Sequence, residues 1–323
     1  MRAFAKRLPL ILVVIVVLLA AVGWMRMGKI LVEVDGVALA NLPQPTGEPV
    51  EFTAVAYNVQ ARPWFDDSVH KFERIPKVTN AYDIVTLQEC FKDHGRYWKL
   101  ATQPVKVYDG TLKAPWKIVG SGLGTLSRFP LTGTAVWHYT TAGDFQNKPA
   151  SKGILLTRFD VGGFPLDVYT THKEAGKNDE AMASKRKQAQ EMVDFVKANS
   201  KPDSAVIVLG DFNLRFKRPE TPGTGIPDTP PASFEGLDYY DIIGGICAHL
   251  GLRDARTELL GEPHTGVDHV LYRTSTAVEL KALTYQHDGP EFYDENQQPL
   301  SDHEPVIVKF RIGKPAAPAE AAS

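Results

Sequence analysis

Apolar runs that stop abruptly on polar residues recur along this chain, and the clearest is Ala205-Val-Ile-Val-Leu-Gly-Asp-Phe-Asn213. Apolar and β-branched residues without alternation predict a strand buried on both faces, and glycine marks its end. Asp211 and Asn213 follow two positions apart, so their side chains project to one side of the strand's exit. The same form repeats elsewhere. Residues 50–59 alternate and end at Tyr57-Asn58, residues 82–89 are apolar in the middle and end on Glu89, and residues 166–171 run into His172. Residues 153–159 and 166–171 read as a hairpin across Gly162-Gly163, and 118–126, 134–139, 267–272, 278–285 and 306–310 as further strands.

Helical spacing is rarer. Ala189, Met192, Val193 and Val196 fall at i, i+3, i+4 and i+7, which predicts an amphipathic helix over 185–198. Residues 68–81, capped or broken around Pro76, and 240–250 are two more candidates. Many strands with helices falling between them predict a sheet-rich α/β layered domain.

The N-terminus follows a different pattern. Arg2, Lys6 and Arg7 precede an uncharged apolar stretch over residues 8–25, close to the roughly 20 residues that span a bilayer as a helix. Residues 1–30 are therefore expected to be a membrane anchor or uncleaved signal, with the body on the extracytoplasmic side, periplasmic or extracellular. Cleavage near Ala38-Leu-Ala40 would instead make the body secreted. Residues 31–49 read as a linker, 50–312 as the catalytic body and 313–323 as a disordered tail.

Charge narrows the partners. The formal charge is −2, from 36 Lys+Arg and 38 Asp+Glu, and residues 1–45 carry five of the bases and two of the acids, leaving the rest at 31 − 36 = −5. An acidic body lacks the broad basic footprint of a nucleic-acid binder. Export would permit a disulfide, but Cys90 and Cys247 both lie in apolar surroundings and are expected to be buried, unpaired thiols.

The polar strand ends carry the candidate chemistry. Glu89 and Asn58 are oxygen donors suited to a hard divalent ion such as Mg²⁺, and Asp302 could complete or support that site. His303 could deprotonate a water, with Asp268 fixing its tautomer. Each residue alone has an ordinary structural alternative: Asn58 as a turn cap, Glu89 at a solvated rim, 210–213 as an Asx turn, 301–304 as a helix cap. Jointly, those alternatives must explain polar ends on successive strands.

Tyr57-Asn58, Leu87-Gln-Glu89, 122–130, Thr171-His172, Gly210-Asp-Phe-Asn213, Asp268-His269 and Ser301-Asp-His303 stand in one order over roughly residues 50–310. This series resembles the endonuclease/exonuclease/phosphatase superfamily of metal-dependent phosphodiesterases and phosphatases. The resemblance implies a four-layer α/β sandwich, two packed, mainly antiparallel or mixed β-sheets flanked by helices. It implies Glu89 as principal Mg²⁺ ligand with Asn58 and Asp302, and Mn²⁺ or Co²⁺ as alternative ions. Asp211 and Asn213 would meet nucleophile and phosphate, His172 the phosphoryl oxygens, and His303 would be the base held by Asp268.

Within the superfamily, the stretch 150–158 with its Lys152-Gly153 pair, followed by 169–175, looks most like the neutral sphingomyelinase branch. That implies a phosphodiesterase acting on a phospholipid at a membrane surface, sphingomyelin to ceramide and phosphocholine, with Lys152 as a substrate-binding candidate. Separately, Trp64, in the 62–65 cluster just after Asn58, is read as lining the substrate mouth or else as an exposed residue packed on its own loop, and the chain is expected to be a monomer. An exported nuclease or inositol-phosphate phosphatase of the same fold, and a catalytically silent membrane-tethered binding module, are the alternatives. One departure stands out: His269 follows the orienting acid where relatives often have an aromatic residue.

Overall fold

Two stacked sheets absorb the predicted strands. The computed structural model describes residues 11–22, 29–42, 45–114, 117, 119–143, 149–202, 204–216, 225–263 and 265–315. Strands β1 (Leu31–Val34), β2 (Val50–Asn58), β3 (Ile84–Gln88), β4 (Val105–Asp109), β5 (Leu123–Ser127), β12 (Glu279–His287) and β13 (Val306–Gly313) form one sheet, ordered β1-β4-β5-β3-β2-β13-β12. Strands β6 (Leu131–His138), β7 (Gly153–Val161), β8 (Phe164–His172), β9 (Ala205–Asp211), β10 (Arg253–Asp254) and β11 (Asp268–Arg273) form the other, ordered β10-β11-β9-β8-β7-β6.

The outer layers are helical. A helix over residues 11–22 (α1) precedes α2 (Gly36–Ala40), α3 (Ser68–Thr79), α4 (His94–Leu100), α5 (Asp179–Asn199), α6 (Asp241–Leu250) and α7 (Ala255–Leu260). Phe72 and Ile75 of α3 and Tyr97 of α4 pack on Val55, Tyr57, Val85 and Leu87 of the first sheet. Met192 and Val196 of α5 and Ile242 and Ile246 of α6 pack on Val206, Val208 and Leu271 of the second. Between the sheets, Phe52, Ala54 and Val308 meet Leu155, Val168, Ile207 and Leu209. The predicted four-layer sandwich is thus the observed one, and β9 is apolar on both faces because Ile207 looks inward and Val208 outward.

Two crossover units organise the site. β2 and β3 are parallel, joined through α3, and β8 and β9 are parallel, joined through α5; all other strand pairs are antiparallel. The C-terminal ends of parallel strands form the usual ligand-binding edge of such sheets. Antiparallel β11 and β13 then bring their N-terminal ends to that same edge.

Boundaries moved for local reasons. α5 begins at Asp179 rather than 185, because the Asn178 side chain caps Ala181 N at 2.8 Å and Asp179 and Glu180 oppose the helix dipole. Residues 31–49, read from the sequence as linker, contribute β1, paired with β4, and the turn α2. Cys90 and Cys247 are both buried free thiols.

The N-terminal expectation is overturned. No helix among the described residues is long and apolar enough to cross a membrane. This contradicts the membrane-anchored, extracytoplasmic placement. The rest of the proposed segment, residues 1–10 and 23–28, lies outside the described residues, as do 217–224 and the tail from 316.

Candidate active site

Three of the predicted residues share one rung of the second sheet. His172, the last residue of β8, pairs in parallel register with Asp211, the last of β9. Asp211 pairs in turn with Asp268, the first of β11, and on the far side His172 pairs with Gly153 of β7. In the first sheet, Asn58 ends β2 opposite Gln88 of β3, and the next residue is Glu89. The two rungs touch: Asn58 Nδ2 donates to Glu89 Oε1 and to Asp211 Oδ2, each at 3.2 Å. Behind them, Gln88 Nε2 donates to Thr170 Oγ1 at 2.8 Å and ties the sheets together.

The backbone turns at these exits. Glu89 leaves β3 at φ 54°, Asn213 leaves β9 at φ 50° and Gln60 leaves β2 at φ 47°. Non-glycine residues in the left-handed region are uncommon and concentrate at functional sites. Gly210 has φ 128°, and a Cβ there would drive into the Thr171 carbonyl oxygen. Glycine therefore lets β9 approach β8 one residue before Asp211.

Charge is concentrated at the mouth. His172 Nε2 lies 3.5 Å from Asp211 Oδ2, 3.7 Å from Glu89 Oε1 and 3.0 Å from Lys152 Nζ. Burial, then the Lys152 charge, holds His172 well below the usual histidine range, so the ring is neutral. Burial and the neighbouring Asp268 charge push Asp211 up. Opposite, His303 Nδ1 lies 2.7 Å from Asp268 Oδ2 and its Nε2 is 3.9 Å from Asp211 Oδ2. Burial would lower His303, but the Asp268 hydrogen bond and the charges of Asp268 and Asp211 outweigh it and raise it to about 10.

The remaining predicted residues separate into supports and outliers. Asn213 N caps Asp211 Oδ1 at 2.8 Å, while its side-chain amide donates to Lys173 O at 3.2 Å. Asn58 Oδ1 accepts from Gln60 N at 3.0 Å, so its amide N–H groups, not its oxygen, face the two carboxylates. Asp302 sits at the exposed rim, where Gln60 Nε2 reaches its Oδ2 at 2.8 Å. Trp64 stands apart: it is 78% exposed at φ 67°, on the loop between β2 and α3, beside Phe65 at 81%. That loop is clamped by Arg62, whose Nε and Nη2 donate to the Asp66 carboxylate at 2.8 and 3.1 Å.

Three further residues support the site from behind. Gln60 links Asn58 to Asp302 and accepts at Oε1 from Lys71 Nζ at 2.7 Å. Lys185 donates to Glu174 O and, at 2.8 Å, to Asn213 O, fixing the turn after β9 from behind. Ser301 Oγ donates to Asn58 O at 2.6 Å, anchoring the His303 loop. His269 is also a support: its Nε2 lies 3.0 Å from Leu214 O and its ring packs edge-on to Phe212 and Phe216.

Among the described residues, Glu89, His172 and Asp211 bring ligand atoms within 4.8 Å of one another, and so do Asp211, Asp268 and His303. Asp268 Oδ1 and His172 Nδ1 are buried without a hydrogen-bond partner. Two acids and a neutral imidazole around one point fit a divalent cation, which would also offset the burial of Asp211.

Comparison with known proteins agrees with this fold. A sphingomyelinase of Mycobacterium bovis is 27% identical over 278 residues, covering 80% of this chain and 52% of its own. The chain thus spans about half the length of the curated relatives it first matches. In fold it is similar to zebrafish (D. rerio) TDP2 complexed with a single-stranded DNA product, at a TM-score of 0.59 and 16% identity, covering 80% and 98% of the two chains. It is also similar to a Staphylococcus aureus beta toxin variant with bound magnesium ions, at 0.54 and 16%, covering 80% and 99%. Residues 55–303 match the Endonuclease/Exonuclease/phosphatase family as a whole, and the chain belongs to that family.

Proposed function

We propose that this protein is a magnesium-dependent phosphodiesterase that hydrolyses a phospholipid headgroup, converting sphingomyelin to ceramide and phosphocholine. The observation that carries the reading is the shared mouth, with Glu89 and Asp211 on one side and the His303–Asp268 pair on the other. The lipid assignment draws on the sphingomyelinases among its relatives. The exposed pair Trp64 and Phe65 supports it as well, because aromatic residues favour a membrane–water interface.

Glu89 and Asp211 would hold the cation, with Asn58 steadying both carboxylates through its amide N–H groups; Mn²⁺ and Co²⁺ are alternatives to Mg²⁺. Bound there, a divalent ion supplies charge neutralisation at the phosphoryl oxygens and a more acidic water. The protein's own residues do the rest. Asp268 accepts the Nδ1 proton of His303, which leaves Nε2 to take a proton from the attacking water. That step needs a neutral ring, so the Asp211 charge that helps hold His303 protonated has to be offset first. His172 and Lys152 face the phosphoryl oxygens, where Lys152 opposes the charge that builds in the transition state.

The test is a substrate panel of sphingomyelin, glycerophospholipids and DNA, with Mg²⁺ and with chelator. Phosphocholine released from sphingomyelin in a chelator-sensitive way is the expected result. Cleavage of DNA alone would instead assign the nuclease reading.

A further inference from the structure

Lys71 belongs to α3, outside every motif that marks the site, yet its side chain turns toward the mouth. The buried stripe of α3 runs through Ser68, Phe72, Ile75 and Thr79, and Lys71 borders it, three residues after Ser68 and four before Ile75. Its Nζ donates to Gln60 Oε1 at 2.7 Å and to Gln60 O at 3.1 Å. Desolvation lowers Lys71 from the ordinary lysine range, while the charges of Asp66 and Asp302 act in the opposite direction. The lysine is thus drawn in from solvent to meet Gln60.

The polarity of that contact decides the next one. An ammonium only donates, so the Gln60 oxygen is the end that faces it and the Gln60 amide N–H groups point elsewhere. Gln60 Nε2 accordingly donates to Asp302 Oδ2 at 2.8 Å, and Asp302 N donates back to Gln60 Oε1 at 3.3 Å. With the amide reversed, donor would face donor at Lys71 and oxygen would face oxygen at Asp302. Gln60 makes these contacts from a left-handed backbone, φ 47°, whose N–H meets Asn58 Oδ1 at 3.0 Å. Strain of this kind persists only where the surroundings hold it.

The Gln60–Asp302 pair closes beside the base. Ser301 Oγ donates to Asn58 O at 2.6 Å and accepts from His303 N at 3.3 Å. Residues 301–303 therefore hang from the exit of β2 by two stitches, a buried one at Ser301 and an exposed one at Asp302. The inner stitch is shielded from water; the outer one depends on Gln60 being held the right way round.

We infer that Lys71 is a positioning residue for the hydrolysis: through Gln60 it holds Asp302, and so sets where His303 Nε2 stands. The inference rests on the proposed function for the part His303 plays in turnover. The tether itself does not rest on it.

The test compares, in the full chain, Lys71→Met, Lys71→Arg, Gln60→Met, the double variant Lys71→Met with Gln60→Met, and Lys77→Met, which alters an exposed lysine of the same helix. Amide hydrogen exchange over residues 301–304 is read in chelator, and kcat and KM on sphingomyelin vesicles in Mg²⁺. Lys71→Met and Gln60→Met should each speed exchange in that segment by on the order of tenfold. Each should lower kcat by a factor on the order of 10–10², with KM and the circular dichroism spectrum unchanged. The double variant should lose no more than either single one, because both act through one chain of contacts. Lys71→Arg should recover most of kcat, and Lys77→Met should match the wild type. Where Lys71→Met melts early, Gln60→Met decides, since it removes the tether and leaves the α3 charge in place. Unchanged kcat in Gln60→Met, additive losses in the double variant, or a Lys71→Arg protein as slow as Lys71→Met overturns the inference. Faster exchange in both single variants of a protein that cleaves no sphingomyelin overturns the functional reading and leaves the tether standing.

Discussion

Asp211 and Asp268 face each other across the last rung of the antiparallel β9–β11 ladder, and His303 reaches both, at 3.9 Å and 2.7 Å. Two buried acids opposed in this way repel one another, and the imidazole between them relieves the repulsion. The arrangement makes His303 both a structural counter-charge and the proposed base.

His303→Ala should therefore lower turnover by a factor on the order of 10²–10⁴ while the fold remains. Asp268→Asn should also lower it, because the amide supports the wrong tautomer. Steady-state rates beside circular dichroism check both. Near-normal turnover in His303→Ala would remove it from the mechanism.

Glu89→Gln should abolish stabilisation by the cation. At a Mg²⁺ concentration of 100 times Kd, the wild type should gain about 2.7 kcal/mol, read as a rise in melting temperature. An equal rise in the variant would place the ion elsewhere.

Lys185 gives the pH dependence. Burial, then the Lys152 charge, lowers it from 10.5 to about 7. Between those values the unfolded chain carries a proton that the folded chain lacks, so stability rises with pH across that window. Lys185→Met should remove that rise, and urea midpoints at several pH values read the difference. Parallel curves for the two proteins would refute it.

Gly210→Ala should destabilise by at least about 1–3 kcal/mol from backbone strain alone, with the clash at Thr171 O adding to it. Denaturant unfolding measures the loss. A neutral substitution would mean that β8 and β9 can part freely.

Trp64→Ala combined with Phe65→Ala should weaken binding to sphingomyelin vesicles by on the order of 10²-fold, the two aromatic side chains together contributing about 2–4 kcal/mol of apolar burial. Cosedimentation in chelator measures it without turnover. Unchanged binding would detach the exposed pair from the lipid.

The parts of this site that were legible in the sequence were those that end long apolar strands. Asn58, His172 and Asp211 each close such a run, and the parallel pairing of β2 with β3 and of β8 with β9, which the sequence did not reveal, brings them to one edge. The short strands β1 and β4, of four and five residues, carry too little periodicity to stand out. Lys185 was hidden for another reason. A lysine near the start of an amphipathic helix reads as a solvated residue, yet here it faces inward because two backbone carbonyls, Glu174 O and Asn213 O, need its donors. Gln60 gave no signal, since its role exists only once Asn58, Lys71 and Asp302 are brought together.

The shared rung Gly153–His172–Asp211–Asp268 also determines where the chain can change length. Removing or adding one residue within β8 or β9 would send every later side chain to the opposite face and carry a reactive group from the mouth into the interior. The Gly162-Gly163 turn lies at the far end of the β7–β8 ladder and is free of that constraint. Loops grafted there should leave the chemistry untouched, which makes it the natural place to tether, label or extend the protein.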